Sequence, residues 1–543
     1  MSRTTHPELI IVGARVHRLD PDADPGPDAP VAEAVAVADG LIAAVGSAHE
    51  VRALAGPDTR VLERDDATIV PGLVDAHSHP ILSLDVARGT SLDGIADPET
   101  LLAVLEAGRD ALADGEWFVG WGLDPNVFSG DPIGNGILHS AFGADRPAFV
   151  TLFDAHSAIA SDAALALAGI TAPSRFDDGA SIADDGTGRP SGHLIEFTAM
   201  RFVQDVMPVR SVPERAAELL ALLRAMAAAG ITETHVLDMQ AADTIALLEA
   251  AEAQEELPVR LRISPWCEPT STDEDVERLL GLQGRHGRQW RIEGIKFFID
   301  GTVEGGTAWL DSPDTRGEGL ASFWADAGAY ARRIRFFHDH GVPTATHAIG
   351  ERGAFVVAET LAALPSTGVQ HRIEHLESVT DETIALIGRA GIATSMQPTH
   401  CTHYVRADGS DEWSRRLGAD RAAHAWRTRD VRDAGAVLAL GSDWPIAPFP
   451  PLTIMADAQL RRRAGRTGAV PVGLVQGLTA QEALEGYTTH AHRSIGGTGG
   501  AIREGERADL VVLDIDPLTV VPDVLAGGRV LLTVRDGRVT HEG

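Results

Sequence analysis

The feature that most constrains the fold of this 543-residue chain is a regular alternation of short apolar runs with longer helix-like segments. Eight runs of strand length are predicted to be β-strands: 68–77, 230–237, 259–265, 292–298, 343–347, 370–375, 391–396 and 436–441. Apolar residues at helical spacing, with Gly or Pro near the ends, occur between them, as in 213–229, 241–256, 325–340 and 380–390. This alternation favours an α/β fold, a parallel TIM-like (β/α)8 barrel in which each strand is followed by a helix.

The two ends of the chain have a different pattern, of short strands separated by turns. Such strands are predicted at 9–16, 35–46, 508–514 and 530–539. We therefore predict a composite β-sandwich built from residues 1–67 and 485–543, with a barrel of residues 68–484 between them. Roughly 150 residues separate the first two barrel strands, far more than a crossover needs. Residues 85–210 are therefore predicted to form an inserted α+β subdomain over the barrel mouth.

Composition and charge limit the possible functions. Hydrophobic content of 44% and charged content of 23% are typical of soluble globular proteins, and neither a signal-like N-terminus nor a long apolar run is present in the sequence. A formal net charge of −32 argues against nucleic acid or an anionic membrane as partner. The only cysteines, Cys267 and Cys401, exclude a disulfide framework and fit a reducing compartment. We expect a cytoplasmic protein that acts on a small molecule; a homodimer is compatible with the sequence.

Lys296 is the only lysine, since the other 45 of the 46 basic residues are arginines. Only an amine can lose its proton at accessible pH and act as a nucleophile, because guanidinium stays protonated. The Lys296 amine could therefore form a Schiff base, act as a general base, or capture carbon dioxide to give a carbamate that can bridge two metal ions. The alternative is that a single lysine survived by drift.

Metal-competent side chains recur at the carboxyl ends of the predicted strands, where a barrel places its active site. They are His77, His79, Lys296, His347, His375 and Asp443. His77 and His79 are two residues apart in an extended segment, so both can reach one ion. Imidazoles with anionic oxygens suit zinc better than calcium. Two ions would need a bridging anion, which favours the carbamate of Lys296 over the Schiff base.

Six segments together carry a family resemblance: 70–79, 292–301, 346–350, 372–377, 441–445 and 505–514. In them the chain resembles the amidohydrolase superfamily, specifically amidohydrolase family 3, which includes N-substituted formamide deformylases. The resemblance implies that His77 and His79 bind one metal and that His347 and His375 bind the second. It also implies that Lys296 bridges as a carbamate and that Asp443 contacts metal and shuttles protons. The implied cofactors are two Zn²⁺ ions and a carbamate derived from carbon dioxide.

The expected reaction is hydrolysis of a linear amide, an N-acyl or N-formyl amine with an apolar substituent, by a metal-bound hydroxide. Asp443 would act as general base and then as general acid. A cyclic amide or a carbamate is the alternative substrate, because the same centre attacks any activated carbonyl. Deamination fits less well because mononuclear deaminase sites need no bridging lysine. A non-catalytic barrel scaffold is the alternative outside enzymes.

Five further residues are predicted to contact substrate: His156, Gln397, His400, Trp309 and Trp444. The two tryptophans, together with Trp266, follow strand ends and could form an aromatic wall, although such tryptophans often only pack. In the inserted region, residues 133–139 depart from the pattern common among relatives. Substrate specificity therefore does not transfer safely from the family.

Overall fold

The computed structural model describes residues 6–20, 31–95 and 97–543. Parts of two predicted domains, residues 1–5 and 21–30 of the terminal domain and residue 96 of the insertion, lie outside the described residues. The described strands are β1 (Leu9–Val16), β2 (Ala34–Ala38), β3 (Leu41–Gly46), β4 (Arg60–Pro71), β5 (Leu73–Ser78), β6 (Thr90–Ser91), β7 (Phe118–Leu123), β8 (Ala148–Leu152), β9 (Ser157–Ala160), β10 (Ser174–Arg175), β11 (Ser181–Asp184), β12 (Pro190–Ile195), β13 (Ile231–Val236), β14 (Arg260–Ile263), β15 (Trp290–Ile292), β16 (Ile295–Phe298), β17 (Thr344–Ala348), β18 (Arg372–His375), β19 (Ala393–Met396), β20 (Leu438–Leu440), β21 (Leu510–Leu513), β22 (Val530–Arg535) and β23 (Arg538–Glu542).

The described α-helices are α1 (Ala48–Arg52), α2 (Ser83–Val86), α3 (Pro98–Asp110), α4 (Gly136–Phe142), α5 (Asp162–Leu167), α6 (Glu196–Gln204), α7 (Val212–Ala228), α8 (Thr244–Gln254), α9 (Asp273–Leu282), α10 (Ala327–Asp339), α11 (Glu351–Ala362), α12 (Asp381–Ala390), α13 (Pro398–Tyr404), α14 (Glu412–Leu417), α15 (Ala419–Ala422), α16 (Thr428–Asp433), α17 (Pro451–Leu460), α18 (Ala480–Gly486), α19 (Thr489–Arg493) and α20 (Pro522–Leu525). The helices predicted at 213–229, 241–256, 325–340 and 380–390 correspond to α7, α8, α10 and α12. None of these described helices is long and apolar enough to span a bilayer.

Both ends of the chain contribute to one seven-stranded sheet, in the order β23-β22-β21-β4-β1-β2-β3. β4 joins the two ends, because it pairs in parallel with β1 and antiparallel with β21. Alternate residues of β1 pack on opposite faces of the sheet, as the two-residue period of a strand requires. Strands from both of the predicted terminal segments, 1–67 and 485–543, thus share this sheet. The hydrogen-bonded order describes one continuous sheet, however, and not the two packed sheets of a sandwich.

The first predicted barrel strand, 68–77, is divided between two sheets. Residues 68–71 end β4 and pair with β1 and β21, whereas β5 begins at Leu73 and pairs with β13. Gly72 separates them, and a Cβ placed there would lie 2.4 Å from Thr232 Oγ1. The chain therefore leaves the terminal sheet at a point where only glycine fits, and the barrel begins after it.

The central strands are parallel and form two sheets, β15-β14-β13-β5 and β16-β17-β18-β19-β20. Backbone hydrogen bonds connect the sheets at both seams. Lys296 N donates to Pro265 O at 2.9 Å, and Asp443 N donates to His77 O at 2.7 Å. The architecture is a TIM-barrel-like α/β fold.

The sequence predicts a continuous closed barrel. The described strands do not form one, because the central strands are divided between two sheets. The predicted fourth strand is broken into β15 and β16 at Gly294, whose φ of +107° is outside the range of a strand. At the other seam β20 has only three residues. On the C-terminal side, α19 packs against β5 and β20, so barrel packing continues beyond the predicted boundary at residue 484.

A fourth sheet lies in the chain between β5 and β13, within the predicted insertion. Its order is β10-β11-β12-β9-β8-β7-β6. Separate clusters of buried apolar side chains pack on it, one around Leu101, Phe118 and Val150 and one around Phe149 and Met200. This sheet therefore has apolar cores of its own.

Candidate active site

The six predicted metal and catalytic residues meet in one buried region at the carboxyl ends of the barrel strands. They are His77 in β5, His79 just after it, Lys296 in β16, His347 in β17, His375 at the end of β18, and Asp443 after β20. Each is at most 7% exposed. Parallel strands end on the same side of a barrel, so residues far apart in sequence are brought together here.

His77, His79 and Asp443 form the tightest group. Asp443 Oδ1 lies 3.3 Å from His77 Nε2 and 3.1 Å from His79 Nε2, and the two imidazole nitrogens are 3.3 Å apart. Asp443 Oδ1 is buried without a partner of hydrogen-bond geometry among the described residues. Three ligand atoms thus converge, and the donor set of two imidazoles and a carboxylate fits a divalent metal such as zinc.

A second group shares Asp443. Its Oδ2 lies 3.8 Å from His375 Nδ1 and 3.6 Å from His400 Nε2. His400, predicted to contact substrate, lines the cavity, and its ring also lies where His375, His400 and Asp443 could together hold an ion. His347 lies on the other side of His375, with 4.4 Å between the ring centroids, and its Nε2 is 3.2 Å from Gly301 O.

The imidazoles and the carboxylate at the centre have the charge states that metal binding requires. Burial lowers the pKa of His347 and of His375 well below the usual value, so both rings are neutral. Burial alone would raise the pKa of Asp443, but the neighbouring histidines, His77 first, lower it well below its usual range. The carboxylate is therefore ionised.

Lys296 lies among these groups with its side chain fully buried. Its Nζ has no hydrogen-bond partner among the described residues and lies 4.8 Å from the centroid of the Phe298 ring. Burial lowers the pKa of Lys296 to about 8, partly offset by the charges of Glu374 and Asp443. A substantial fraction of the amine is thus neutral near physiological pH, which is the form that can react with an electrophile.

These residues face a cavity that encloses about 630 Å³ of empty space, part of it open to solvent. Its apolar lining includes Leu82, Phe153, Phe197, Trp266, Phe298, Tyr404 and Ile446. His156 of the insertion lines it opposite the barrel, with its ring centroid 5.2 Å from that of His347. The site can therefore enclose an apolar group beside the candidate metal ligands.

The sequence profile of the amidohydrolase family matches residues 65–541. The chain belongs to the amidohydrolase family. It is 30% identical over 535 residues to YtcJ of Bacillus subtilis (strain 168), which is named as an amidohydrolase, covering 94% of this chain and 96% of that protein. It is 26% identical over 558 residues to an N-substituted formamide deformylase of Arthrobacter pascens, covering 98% of each. The fold is similar to that of an uncharacterised metal-dependent hydrolase from Pyrococcus horikoshii OT3, with a TM-score of 0.70 at 21% identity, covering 95% of this chain and 99% of that chain.

The resemblance to the amidohydrolases is thereby confirmed, and the protein is a hydrolase of the class that acts on carbon–nitrogen bonds. The non-catalytic scaffold considered from the sequence is set aside.

In this amidohydrolase, buried carboxylates behind the candidate ligands were missed by the sequence reasoning. Glu374 Oε2 lies 2.7 Å from His77 Nδ1, and Glu374 also accepts a 2.5 Å hydrogen bond from Arg372 Nε. Asp75 accepts hydrogen bonds from the backbone of His77 and from both the backbone and hydroxyl of Ser442. These carboxylates fix the orientation of the ligands. The sequence could have indicated them by their positions, because Glu374 directly precedes the candidate ligand His375 and Asp75 lies two residues before His77.

The buried carboxylate of Asp300 similarly fixes the loop after β17. Its carboxylate accepts hydrogen bonds from the backbone of Ile349 and Gly350 at 3.0 and 2.9 Å, and from Trp309 N at 2.8 Å. Burial raises the pKa of Asp300 to about 7. This network ties the segment that follows His347 to the segment that follows Lys296.

Three of the predicted substrate contacts, all within the described part of the chain, do not line the cavity. Gln397 Oε1 instead lies 2.9 Å from His375 Nδ1 and orients that ring. The ring of Trp309 packs beside the Arg352 guanidinium, and that of Trp444 packs edge-on against Trp121 and Phe449. A position just after a strand end does not fix the direction of the side chain. The sequence therefore could not show that these three side chains do not line the cavity. Trp266 does line the cavity.

Proposed function

We propose that this amidohydrolase cleaves a linear amide, an N-acyl or N-formyl amine with an apolar substituent, to a carboxylic acid and an amine. The observation that carries the proposal is the convergence of His79, Asp443 and the unpartnered Lys296 amine on one apolar-walled cavity, with His77 grouped beside His79 and Asp443. The name of the 26%-identical formamide deformylase supports an N-formyl amine among the candidates.

In this proposal two zinc ions share the site. His77, His79 and Asp443 would hold one ion, His347 and His375 would hold the other, and a carbamate on Lys296 would supply an anionic oxygen ligand. The nitrogen-rich donor set favours zinc over magnesium or calcium. The Lys296 amine has no hydrogen-bond partner among the described residues, which supports its modification, because an unpaired buried ammonium is costly. His400 lies at ligand distance from Asp443 and competes with His347 for the second position.

Bound divalent ions would polarise the substrate carbonyl and lower the pKa of a water molecule towards neutrality. Asp443, which lies beside both groups of histidines, accepts the proton that this water loses. The same carboxyl then returns the proton to the leaving nitrogen, so that amide and water give acid and amine. His156 faces the cavity from the insertion, where its ring can orient the substrate carbonyl.

The apolar lining supports an apolar substituent on the substrate. Phe197, Trp266 and Phe298 pack against each other at the cavity wall, with centroids 4.7 to 5.8 Å apart. Burial of a hydrocarbon group against such a wall contributes about 0.8 kcal/mol per CH₂. A cyclic amide or a carbamate remains the alternative, because the same groups act on either carbonyl.

The test is metal content by elemental mass spectrometry, on protein produced with zinc and purified in bicarbonate without chelator, followed by a substrate panel. We expect about two ions per chain and hydrolysis of N-alkylformamides and N-acyl amines. One ion per chain would contradict the bridged pair. Cleavage of cyclic amides or carbamates alone, by fully loaded enzyme, would overturn the linear-amide assignment. Comparison of His347→Ala with His400→Ala then shows which histidine holds the second ion.

A further inference from the structure

A buried arginine inside the barrel has no role in the proposed chemistry. Arg372 begins β18 and is 2% exposed. Glu374 lies two residues further along the same strand, so the two side chains are on the same face of β18. Arginine is seldom buried without partners, and the Arg372 guanidinium donates four hydrogen bonds. The partners of these hydrogen bonds indicate what the arginine does.

Two of the four hydrogen bonds lead to the candidate metal ligand His77. Arg372 Nε donates to Glu374 Oε1 at 2.5 Å, and Glu374 Oε2 lies 2.7 Å from His77 Nδ1. Arg372 Nη2 donates at 2.8 Å to the carbonyl oxygen of Ala76, which directly precedes His77 in β5. One guanidinium therefore holds both the carboxylate that contacts the His77 ring and the backbone that carries it.

The other two hydrogen bonds hold Arg372 itself. Its Nη1 donates to His235 Nδ1 at 2.9 Å and to Ser494 Oγ at 3.0 Å. Burial lowers the pKa of His235 to about 4, so the ring is neutral. Because Nδ1 accepts a hydrogen bond, the ring hydrogen is on Nε2, which faces a carboxylate oxygen of Glu233 at 3.7 Å. That negative charge favours the tautomer that can accept from Arg372.

These contacts lie at the opposite end of the strands from the active-site cavity. Arg372, His235 and Ser494 line a separate cavity of about 360 Å³, part of it open to solvent. Its wall also includes Gly294, just before β16, and Thr344, at the start of β17. Within the described part of the chain, none of the candidate metal ligands lines this cavity. A substitution here therefore leaves the ligands themselves in place.

We propose that Arg372 positions the candidate metal ligand His77 from the amino-terminal end of the barrel strands. It acts through the Glu374 carboxylate and the Ala76 carbonyl, and His235 keeps the guanidinium in place. The inference rests on the proposed function, because it takes His77 as a ligand of zinc. Metal affinity at the barrel mouth therefore depends on hydrogen bonds at the far end of the same strands.

The experiment measures the zinc affinity of the metal-free protein by competition with a chromogenic chelator. Arg372→Lys keeps the charge but loses the planar fork of donors, so we expect zinc to bind about 10–100-fold more weakly. The matched control is Arg461→Lys. Arg461 is 1% exposed and donates to the carbonyl oxygens of Val472 and Ala425, away from the metal ligands. This control should keep the wild-type affinity even where it lowers the Tm.

A second variant tests the far end of the chain of contacts. His235→Leu removes the acceptor of Arg372 Nη1 and should weaken zinc binding by a smaller factor, because the contacts of Arg372 with Glu374 and Ala76 remain. The control is His338→Leu. His338 is 3% exposed and hydrogen-bonds to another buried histidine, so its loss should lower the Tm and leave zinc affinity unchanged. Thermal unfolding of each metal-free protein shows that it is folded.

A double-mutant cycle shows whether Arg372 acts through Glu374. The double variant Arg372→Lys/Glu374→Gln should lose less zinc-binding free energy than the sum of the two single losses, because both changes break one chain of contacts. Fully additive losses would overturn the inference, as would an equal loss in Arg461→Lys.

Equal zinc affinity of Arg372→Lys and wild type would overturn the positioning role while the proposed function stands. Failure of the wild-type protein to bind zinc would instead refute the proposed metal site, and the inference would fall with it.

Discussion

The two sides of the cavity, one formed by the barrel and one by the insertion, differ in whether their buried polar atoms have hydrogen-bond partners. On the barrel side, Lys296 Nζ and Asp443 Oδ1 are buried without hydrogen-bond partners among the described residues. On the insertion side, His156 Nδ1 lies 2.8 Å from Glu196 Oε2, and Glu196 Oε1 accepts a 2.6 Å hydrogen bond from Thr307. Because buried polar atoms are costly when unpaired, the barrel side is incomplete without ligands, whereas the insertion side is complete as it stands. In the proposed function, the barrel side accordingly holds the metal and carries out the chemistry, and the insertion side orients the substrate.

Backbone geometry adds to this contrast. His375 and Asp443 have φ values of 74° and 59°, and both are non-glycine residues on the barrel side. Such conformations cost about 1–3 kcal/mol each and persist where the surroundings enforce them. Glu196, at φ 63°, is the corresponding residue of the insertion side, and its carboxylate is held at both oxygens. His375 and Asp443 line the cavity, whereas the Glu196 carboxylate contacts His156 and Thr307.

The largest effect is expected for Lys296→Arg. Guanidinium cannot form a carbamate, so the variant should lose activity to the background rate and carry fewer than two metal ions per chain. Kinetics with a formamide substrate and elemental mass spectrometry measure the two effects. Lys296→Ala should regain part of its activity with formate or acetate, which can occupy the bridging position. Full activity of Lys296→Arg would show that the site does not need a carbamate at residue 296.

Asp443→Asn should lower kcat about 10²–10⁴-fold, because the amide cannot accept a proton from water. The control is Asp420→Asn, which removes an exposed carboxylate on α15 and should behave as wild type. Steady-state kinetics on metal-loaded proteins provides the measurement. A fall in KM alone, with kcat preserved, would show that Asp443 does not transfer the proton.

Glu374→Gln tests the support behind the barrel side. Loss of the carboxylate that contacts His77 Nδ1 should weaken metal affinity or activity about 10–100-fold, since such partners orient the ligand and raise its basicity. Metal affinity is measured by competition with a chromogenic chelator. The exposed Glu382 of α12 provides a control of the same chemistry, Glu382→Gln, with no expected change. Unchanged affinity in Glu374→Gln would mean that His77 needs no such support.

The smallest effect is expected on the insertion side, for His156→Gln. Burial alone lowers the pKa of His156, but the charges of Glu196 and Asp154 outweigh it and raise the pKa above its usual value. A raised pKa stabilises the fold fully below the unfolded pKa of about 6.5, and this contribution is lost as pH rises through the folded pKa. The variant should therefore lose about 1–3 kcal/mol below pH 6.5, and less at higher pH.

Thermal unfolding of wild type and His156→Gln across this pH range measures that difference, and metal content should stay at the wild-type value. A loss of metal in His156→Gln would show that the insertion side also contributes to metal binding.

The sequence by itself determined the strand-helix alternation and the positions of His77, Lys296, His347, His375 and Asp443 at strand ends. Local periodicity and side-chain chemistry are properties of neighbouring residues, so they can be read without the fold. The roles of Trp309, Trp444 and Gln397 could not be read in this way, because the direction of a side chain depends on what packs around it. Only the tertiary structure could place Glu374 behind His77 and His400 beside Asp443, since these contacts join residues that are distant in sequence. Such contacts depend on the pairing of strands and on the seams of the barrel, which are set by packing over the whole chain.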